Sequence, residues 1–222
     1  MSATVIGLEE KPSVNEVAAV QKDRFTVLAG DLSMNYPGFC VMNLKKVNGS
    51  WRITGLKVSS IKRSHKDETH GEALVTIGKH LQELFGHEMP NFLVREKALV
   101  GQRNGFTPQN QMAIFKVVGV IDILTTIWWR KFTENDRQYR SRQWSEIAAT
   151  TVKKLITGQG KADKNEVAEG VMKYLKLYCD VDLGDEPFDN DNESDATAVA
   201  LAWLLSKGVI TPIKEEENLK CG

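Results

Sequence analysis

The sequence contains few cysteines, no excess of charge of either sign and no uninterrupted apolar run of membrane-spanning length. Cys40, Cys179 and Cys221 show no Cys-x-x-Cys or Cys/His spacing, so the sequence predicts neither a disulfide framework nor a zinc site. The longest apolar run, VVGVIDILTTIWW, is interrupted by Asp122 and is too short to span a bilayer. The first twenty residues also lack the basic start and apolar stretch of a secretory signal. We therefore expect a cytoplasmic protein with no membrane partner.

The formal net charge of zero hides an uneven distribution of charge along the chain. Residues 130–164 contain nine Lys or Arg against four acids, whereas residues 180–217 contain eleven acids against two lysines. Such segregation favours a cationic surface for phosphates beside carboxylates that a metal ion could neutralise. The alternative is that both runs are ordinary solvated faces.

Hydrophobic patterns predict an alternation of strands and helices. Runs rich in β-branched and aromatic residues predict strands at 25–30, 38–44, 51–60, 91–98 and 144–148. The turn pair Asn48-Gly49 separates the second strand from the third, which predicts an antiparallel meander. This order predicts an α/β fold with one mixed sheet over residues 23–210, preceded by an arm at 1–22 and followed by a charged tail at 211–222.

Helical spacing of apolar residues predicts the helices between these strands. One helix covers 69–86 with Gly86 closing it, and a second carries Met112 and Phe115 on its apolar face. Asp163 and Glu166 form a predicted capping box that opens a later helix, and the last helix covers about 192–206.

Four acidic residues lie where predicted elements begin or end. Asp31 and Glu96 end apolar strands, while Asp191 and Asp195, four residues apart, share one face at the start of the last helix. Carboxylates held this close repel each other, and a divalent cation removes that conflict. Hard oxygen ligands favour Mg²⁺ or Mn²⁺, and two such ions about 3.5–4 Å apart can catalyse phosphodiester cleavage.

Each of these acids also has a structural interpretation. Asp31 is a common turn residue after a strand, and Glu96 is flanked by two possible salt-bridge partners, Arg95 and Lys97. Asp191 could cap the last helix. No single one of these alternatives explains all four positions.

Four sequence blocks resemble the RuvC-type Holliday junction resolvases of the RNase H-like superfamily. In order they are AGDLSMNYPGFCVM, LVREKAL, TTVKKLITGQGKADKNEV and DNESDATAVALAWL. The resemblance implies an RNase H-like fold with a mixed five-stranded sheet flanked by helices, and a homodimer that binds four-way DNA junctions. It also implies two Mg²⁺ ions per site, with Mn²⁺ able to substitute, and paired nicks that leave 5′-phosphates. The length of the chain suggests a divergent member from a phage or mobile element, which would act in the host cytoplasm.

The resemblance also assigns residues. Asp31, Glu96 and Asp195 match the metal-binding acids of the family, and Asp191 is favoured as the fourth. Bacterial members have an acid where this chain has Asn192, so Glu193 is kept as a substitute to test.

Basic and apolar positions are assigned to DNA by the same resemblance. Lys153 and Lys164 match basic residues near the scissile phosphate, and Leu99 stands where the family often inserts an aromatic wedge. Phe106 is the alternative wedge. The further DNA contacts are Lys154, Lys161 and Arg103.

Two alternative functions remain open at this point. The chain could be a nuclease with broader specificity that cuts flaps and forks, or a catalytically silent module that binds junctions. The substitution at Asn192 favours the second alternative, and the retained acids oppose it. A proofreading-type exonuclease is disfavoured because Ser33 stands where an Asp-x-Glu motif needs its Glu.

Overall fold

A five-stranded mixed sheet forms the centre of the fold, as predicted. The computed structural model describes residues 23–62, 69–98, 107–184 and 186–213. The strand order is β3-β2-β1-β4-β5, in which β2 runs antiparallel to β1 and β3, and β4 runs parallel to β1 and β5. The strands are β1 (Arg24–Asp31), β2 (Gly38–Val47), β3 (Ser50–Ser60), β4 (Phe92–Glu96) and β5 (Ser145–Ile147).

The turn between β2 and β3 has the conformation that its sequence predicts. Asn48 and Gly49 both have positive φ, 49° and 86°. Two-residue hairpin turns of this kind favour Asn-Gly because Gly carries no Cβ and Asn tolerates the left-handed region. The predicted meander of the first three strands is confirmed.

Helices cover both faces of the sheet. On one face, α1 and α2 pack with Leu28 and Leu93 of the sheet. On the other, α4, α5 and α6 pack with Ala29 and Val94. The helices are α1 (His70–Glu88), α2 (Pro108–Arg130), the single turn α3 (Glu134–Arg137), α4 (Ala149–Thr157), α5 (Lys164–Tyr178) and α6 (Asp191–Ser206).

The predicted end of α1 at Gly86 is wrong. The helix continues to Glu88, and Met89 adopts the left-handed conformation that ends it, with φ 48°. Pro90 follows at once and cannot extend a helix. A glycine near a helix end is therefore not sufficient to stop the helix when the next residues still favour it.

The helix α2 is long, apolar and only partly covered. By length and composition its segment Gln111–Arg130 is capable of crossing a membrane, a criterion that core helices of soluble proteins also meet. The run VVGVIDILTTIWW is only part of this longer segment, which also includes Gln111 and Lys116. Only 22% of the apolar window is buried within the chain, so α2 presents an apolar face outward.

The described part of the tail packs against the domain. The backbone N–H groups of Thr211 and Ile213 donate hydrogen bonds to the hydroxyls of Tyr178 and Tyr174, at 3.1 and 3.3 Å. The arm at 1–22 lies outside the described residues.

Candidate active site

Asp31 and Glu96 end two neighbouring parallel strands and point to the same face of the sheet. The register pairs Ala29 with Val94 and Gly30 with Arg95. Side chains alternate between the two faces of a strand, so residues two positions apart share a face. Asp31 and Glu96 therefore lie on the same face as Ala29 and Val94, which is the face covered by α6.

Gly38 lets the start of α6 approach the sheet beside Asp31. The register pairs Gly38 with Asp31. A Cβ added to Gly38 would lie 2.0 Å from the carbonyl oxygen of Asn192, so no other residue fits without displacing the helix. Sequence reasoning missed this residue, although a glycine directly after Pro37 at the start of a buried strand was a usable signal.

Lys164 lies between the two acids at the start of α6. Its Nζ is 3.4 Å from Oδ2 of Asp191 and 3.6 Å from Oδ2 of Asp195. The Asp191 side chain is 74% exposed and the Asp195 side chain 28%. Asp191 is thus at the rim of the group, and Asp195 is nearer to the strand ends.

Burial and mutual repulsion raise the pKa values of three of the acids. Burial, followed by the charge of Asp195, raises the pKa of Asp31 to about 6. Burial, followed by the charges of Asp31 and Asp195, raises the pKa of Glu96 to about 7. Burial also raises the pKa of Asp195, although Lys164 opposes that shift. These cross-influences place Asp31, Glu96 and Asp195 in one electrostatic group.

The basic block forms two helices that bring two lysines to these acids. The first helix, α4, ends at Gly158 in the left-handed conformation, with φ 80°. The predicted capping box at the start of α5 is confirmed, with Asp163 as its N-cap. The Lys153 ammonium donates to the carbonyl of Ala162 at 2.6 Å. Its charge opposes the rise in the pKa values of Glu96 and Asp195 that burial causes.

Glu193 has a structural role at the start of α6. Its side chain is buried and accepts hydrogen bonds from the Ser60 hydroxyl at 3.0 Å, the Asn190 amide at 3.3 Å and the Asp189 backbone N–H at 3.0 Å. These bonds tie the end of β3 to α6. The geometry therefore favours Asp191 over Glu193 as the fourth acid. The N-cap of α6 is Asn190, so the interpretation of Asp191 as a cap is wrong.

Arg95 does not neutralise Glu96. Its guanidinium, 9% exposed, instead donates to Asp122 of α2 at 2.7 Å and to Glu146 of β5 at 3.0 Å. Adjacent strand residues point to opposite faces, so Arg95 lies on the other side of the sheet from Glu96. Arg95 is therefore not the salt-bridge partner of Glu96.

The donor set fits a hard divalent cation. Carboxylate oxygens are preferred by Mg²⁺ and Mn²⁺, and burial followed by neighbouring carboxylates raises the pKa values of Asp31 and Glu96, an effect that a bound cation would oppose. Within the described ranges, no three His, Cys, Asp or Glu side chains stand close enough to hold an ion as they are placed. Side-chain movement would be needed to bring the oxygens together.

The basic run at 130–142 lies away from this group. The Arg140 guanidinium donates to the carbonyls of Met89 and Pro90, just before β4 begins, and lies over the Phe132 ring. Glu96 ends the same five-residue strand, so the two regions are about 15 Å apart. The predicted cationic surface over 130–164 is therefore divided, and only its second half adjoins the acids.

The remaining predicted DNA contacts are at the periphery or outside the described residues. Lys154 and Lys161 are exposed on α4 and in the turn before α5. The positions Leu99, Arg103 and Phe106 fall outside the residues that the structure describes.

Known proteins are similar to this chain in sequence and in fold. A family model described as "Crossover junction endodeoxyribonuclease RuvC" matches residues 135–203, a range that includes Lys153, Lys164 and the start of α6. A protein of that name from Synechococcus sp. (strain CC9311) is 26% identical over 183 residues, covering 80% of this chain and 98% of the relative. The chain is thus similar to RuvC-type proteins in sequence.

Further RuvC-type proteins are similar to this chain in sequence or in fold. The protein of the same name from Prochlorococcus marinus (strain MIT 9312) is 27% identical, covering 64% of this chain and 76% of the relative. The solved Thermus thermophilus RuvC structure has a TM-score of 0.59 at 19% identity, covering 85% of this chain and 99% of that one. A yeast mitochondrial Holliday junction resolvase, Ydc2, has a TM-score of 0.53 at 12% identity, covering 82% and 79%. The predicted RNase H-like fold is confirmed.

Proposed function

We propose that this protein is an endodeoxyribonuclease that resolves four-way DNA junctions by paired nicks. The observation that carries the proposal is the group of acids at one edge of the sheet. Asp31 and Glu96 end parallel strands on the same face as Asp195, and Lys153 and Lys164 adjoin them. The RuvC-type relatives bear the name crossover junction endodeoxyribonuclease.

The acids and lysines have complementary roles in this proposal. Asp31, Glu96, Asp195 and Asp191 hold two Mg²⁺ ions, for which Mn²⁺ can substitute. Bound there, such ions would supply Lewis acidity and lower the pKa of the water that attacks phosphorus in line. Lys153, fixed by the Ala162 carbonyl, orients the scissile phosphate and offsets its developing charge. The products carry 5′-phosphate and 3′-hydroxyl ends.

Branched DNA is the proposed substrate. A similar structure, with a TM-score of 0.60 at 19% identity, is the Thermus thermophilus RuvC in complex with a Holliday junction. Lys154, Lys161, Arg103, Leu99 and Phe106 remain predicted DNA contacts. Activity on flaps and forks is the alternative substrate range.

An exposed apolar stripe on α2 supports the proposed homodimer. We define the α2 stripe as Met112, Phe115, Gly119, Ile123 and Ile127, which share one face at helical spacing. Met112 is 60% exposed and Ile123 62%. Exposed apolar residues arranged as a continuous stripe mark an interaction surface.

The symmetry of the α2 stripe matches a second copy of the chain. Gly119 is at its centre and has open space where a Cβ would be. An antiparallel crossing of two α2 helices about a two-fold axis at Gly119 would set Phe115 against Ile123 of its partner. An isologous interface needs such self-complementarity, and the dimer would present two active sites to symmetric strands of a junction.

Cleavage of defined substrates tests the proposed function. Four-way junction, flap and linear duplex are incubated with and without Mg²⁺, and products are read at nucleotide resolution. We expect symmetric paired nicks on the junction that require the metal. Asp31→Asn should slow cleavage by about 100-fold or more and leave junction binding intact. The exposed Asp23→Asn serves as the matched control and should keep full activity.

Other outcomes would reject parts of the proposal. A single unpaired nick would indicate a flap or debranching nuclease, and binding without nicking would indicate a silent module. Full activity of Asp31→Asn would remove the assignment of the active site.

A further inference from the structure

Lys164 occupies a position between carboxylates that a divalent cation would also need. Its ammonium is within 3.6 Å of carboxylate oxygens from both Asp191 and Asp195. The ammonium carries one charge and makes hydrogen bonds, while a divalent cation carries two charges and takes several oxygens directly. The two cannot share the same oxygens.

The two lysines of the site differ in their freedom to move. Lys153 is held by its hydrogen bond to the Ala162 carbonyl. Lys164, in contrast, is 64% exposed, and both of its acidic partners lie on another helix. A lysine has a flexible four-carbon stem, so its ammonium can leave without moving the backbone.

The backbone at Lys164 is fixed independently of these ion pairs. Lys164 is the first residue of α5 and lies within the capping box of Asp163 and Glu166, whose hydrogen bonds measure 2.7 and 2.9 Å. The helix start therefore stays in place whether or not the ammonium contacts Asp191 and Asp195. Only the side chain needs to rearrange.

We propose that Lys164 is a displaceable counter-ion of the active site. Without a divalent cation, its ammonium pairs with Asp191 and Asp195 and offsets their repulsion. When a divalent cation binds, the ammonium withdraws from these oxygens and becomes available to the DNA phosphate. The contact of the released ammonium with the DNA phosphate depends on the proposed nuclease function. Its pairing with Asp191 and Asp195 in the metal-free protein does not.

This role has a signature that a simple phosphate contact lacks. Removing the Lys164 ammonium frees the carboxylates for the metal, so Mg²⁺ should bind more tightly. The same change leaves the acids without their counter-ion, so the metal-free protein should be less stable. A lysine that only touches DNA would change neither property in the absence of DNA.

Titration calorimetry with MgCl₂ in the absence of DNA tests the proposal. The proteins compared are wild type, Lys164→Met, Lys164→Arg and the control Lys173→Met, which removes an exposed lysine from the same helix. We expect Lys164→Met to bind Mg²⁺ about three- to tenfold more tightly than wild type. Lys164→Arg and Lys173→Met should stay within about twofold of wild type.

Thermal unfolding of the same four proteins supplies the second measurement. In EDTA, Lys164→Met should melt below wild type, and saturating Mg²⁺ should raise its Tm more than that of wild type. Lys173→Met should respond as wild type does.

The outcomes separate this proposal from the proposed function. Equal or weaker Mg²⁺ binding by Lys164→Met would overturn the counter-ion role, even if junction cleavage is observed. Tighter binding by Lys164→Met in a protein that cuts no junction would support the counter-ion and reject the nuclease. Absence of Mg²⁺ binding in all four proteins would overturn the proposal that the Lys164 ammonium and Mg²⁺ compete for the oxygens of Asp191 and Asp195.

Discussion

At the residue scale, the acids of the site are destabilising in the metal-free protein. The pKa values of Asp31 and Glu96 are raised, to about 6 and about 7, first by burial and then by neighbouring carboxylates. A raised acid pKa means that the folded state disfavours the charged form. The fold therefore retains these carboxylates at a cost in stability, which a bound cation would offset.

The metal-free protein should lose stability as the pH rises from about 4 to 7, between the ordinary pKa values of Asp31 and Glu96 and their raised values in the fold. Over this range the folded protein holds protons on Asp31 and Glu96 that the unfolded chain has already released, so stability falls with rising pH. In EDTA at pH 8, Asp31→Asn should be more stable than wild type by about 1–2 kcal/mol, a Tm increase of about 2–8 °C. Thermal unfolding across pH measures this, with Asp23→Asn as the control. A wild-type profile as flat as that of Asp31→Asn would contradict the prediction.

Asp191 and Glu193 are only two residues apart, but we expect removal of Glu193 to lower stability and removal of Asp191 to weaken Mg²⁺ binding. Glu193→Ala leaves the half-buried Ser60 hydroxyl and the Asp189 backbone N–H without their acceptor, so unfolding in urea should show a loss of about 1–3 kcal/mol. Asp191→Ala removes an exposed carboxylate, so it should weaken Mg²⁺ binding and leave stability within about 0.5 kcal/mol. The reverse pattern would make Glu193 the fourth ligand.

At the element scale, the site depends on how closely α6 approaches the sheet. Strands β1 and β4 hold Asp31 and Glu96 in register, but Asp195 joins them only because the start of α6 rests on Gly38. The local patterns predicted each of these elements with small errors at their ends. They did not predict the contact, because Gly38 and Asn192 are far apart in the chain and neither departs from an ordinary strand or helix start.

Filling the contact at Gly38 should damage both stability and activity. In Gly38→Ala the new methyl group overlaps the Asn192 carbonyl, so α6 must shift. We expect a loss of about 1–3 kcal/mol in urea unfolding and weaker Mg²⁺ binding. Gly86→Ala in α1 is the matched control, since nothing lies within 4 Å of its added Cβ. It should leave Mg²⁺ binding unchanged and increase stability by about 0.5–1 kcal/mol, and equal behaviour of the two variants would exclude a special role for Gly38.

At the scale of the whole molecule, charge and apolar surface are separated. The second half of the basic run lies with the acids. Arg137 and Arg140 instead pack on the aromatic rings of Trp129 and Phe132, and Arg140 lies near the start of β4, whereas Glu96 ends that strand. The α2 stripe forms a third region. In the proposed function, one of these regions would bind DNA and the α2 stripe would associate with a second copy.

A charge placed in the α2 stripe should separate the dimer. Ile123→Glu puts a carboxylate near the centre of the proposed interface, where two copies would meet across the two-fold axis. Sedimentation velocity should show a dimer for wild type and a monomer for Ile123→Glu. Val75→Glu changes an equally exposed apolar residue of α1, 57% exposed, and should remain a dimer.

Two results would contradict the proposed dimer. A monomeric wild type would remove α2 as a self-association surface. If the wild type floats with lipid vesicles and Ile123→Glu does not, α2 is instead a membrane contact.

The sequence by itself determined the order of strands and helices, the capping box and hairpin, and the location of the candidate acids at the ends of strands and the start of the last helix. These features depend on contacts between residues close in the chain or on motifs that survive divergence. The tertiary structure alone decided which side of the sheet each acid faces, that Glu193 serves the fold rather than the group of acids, and that Arg95 pairs away from Glu96. It also placed Lys164 between Asp191 and Asp195. Such outcomes depend on strand register and on the approach of α6, which join residues far apart in sequence, and no local pattern encodes them.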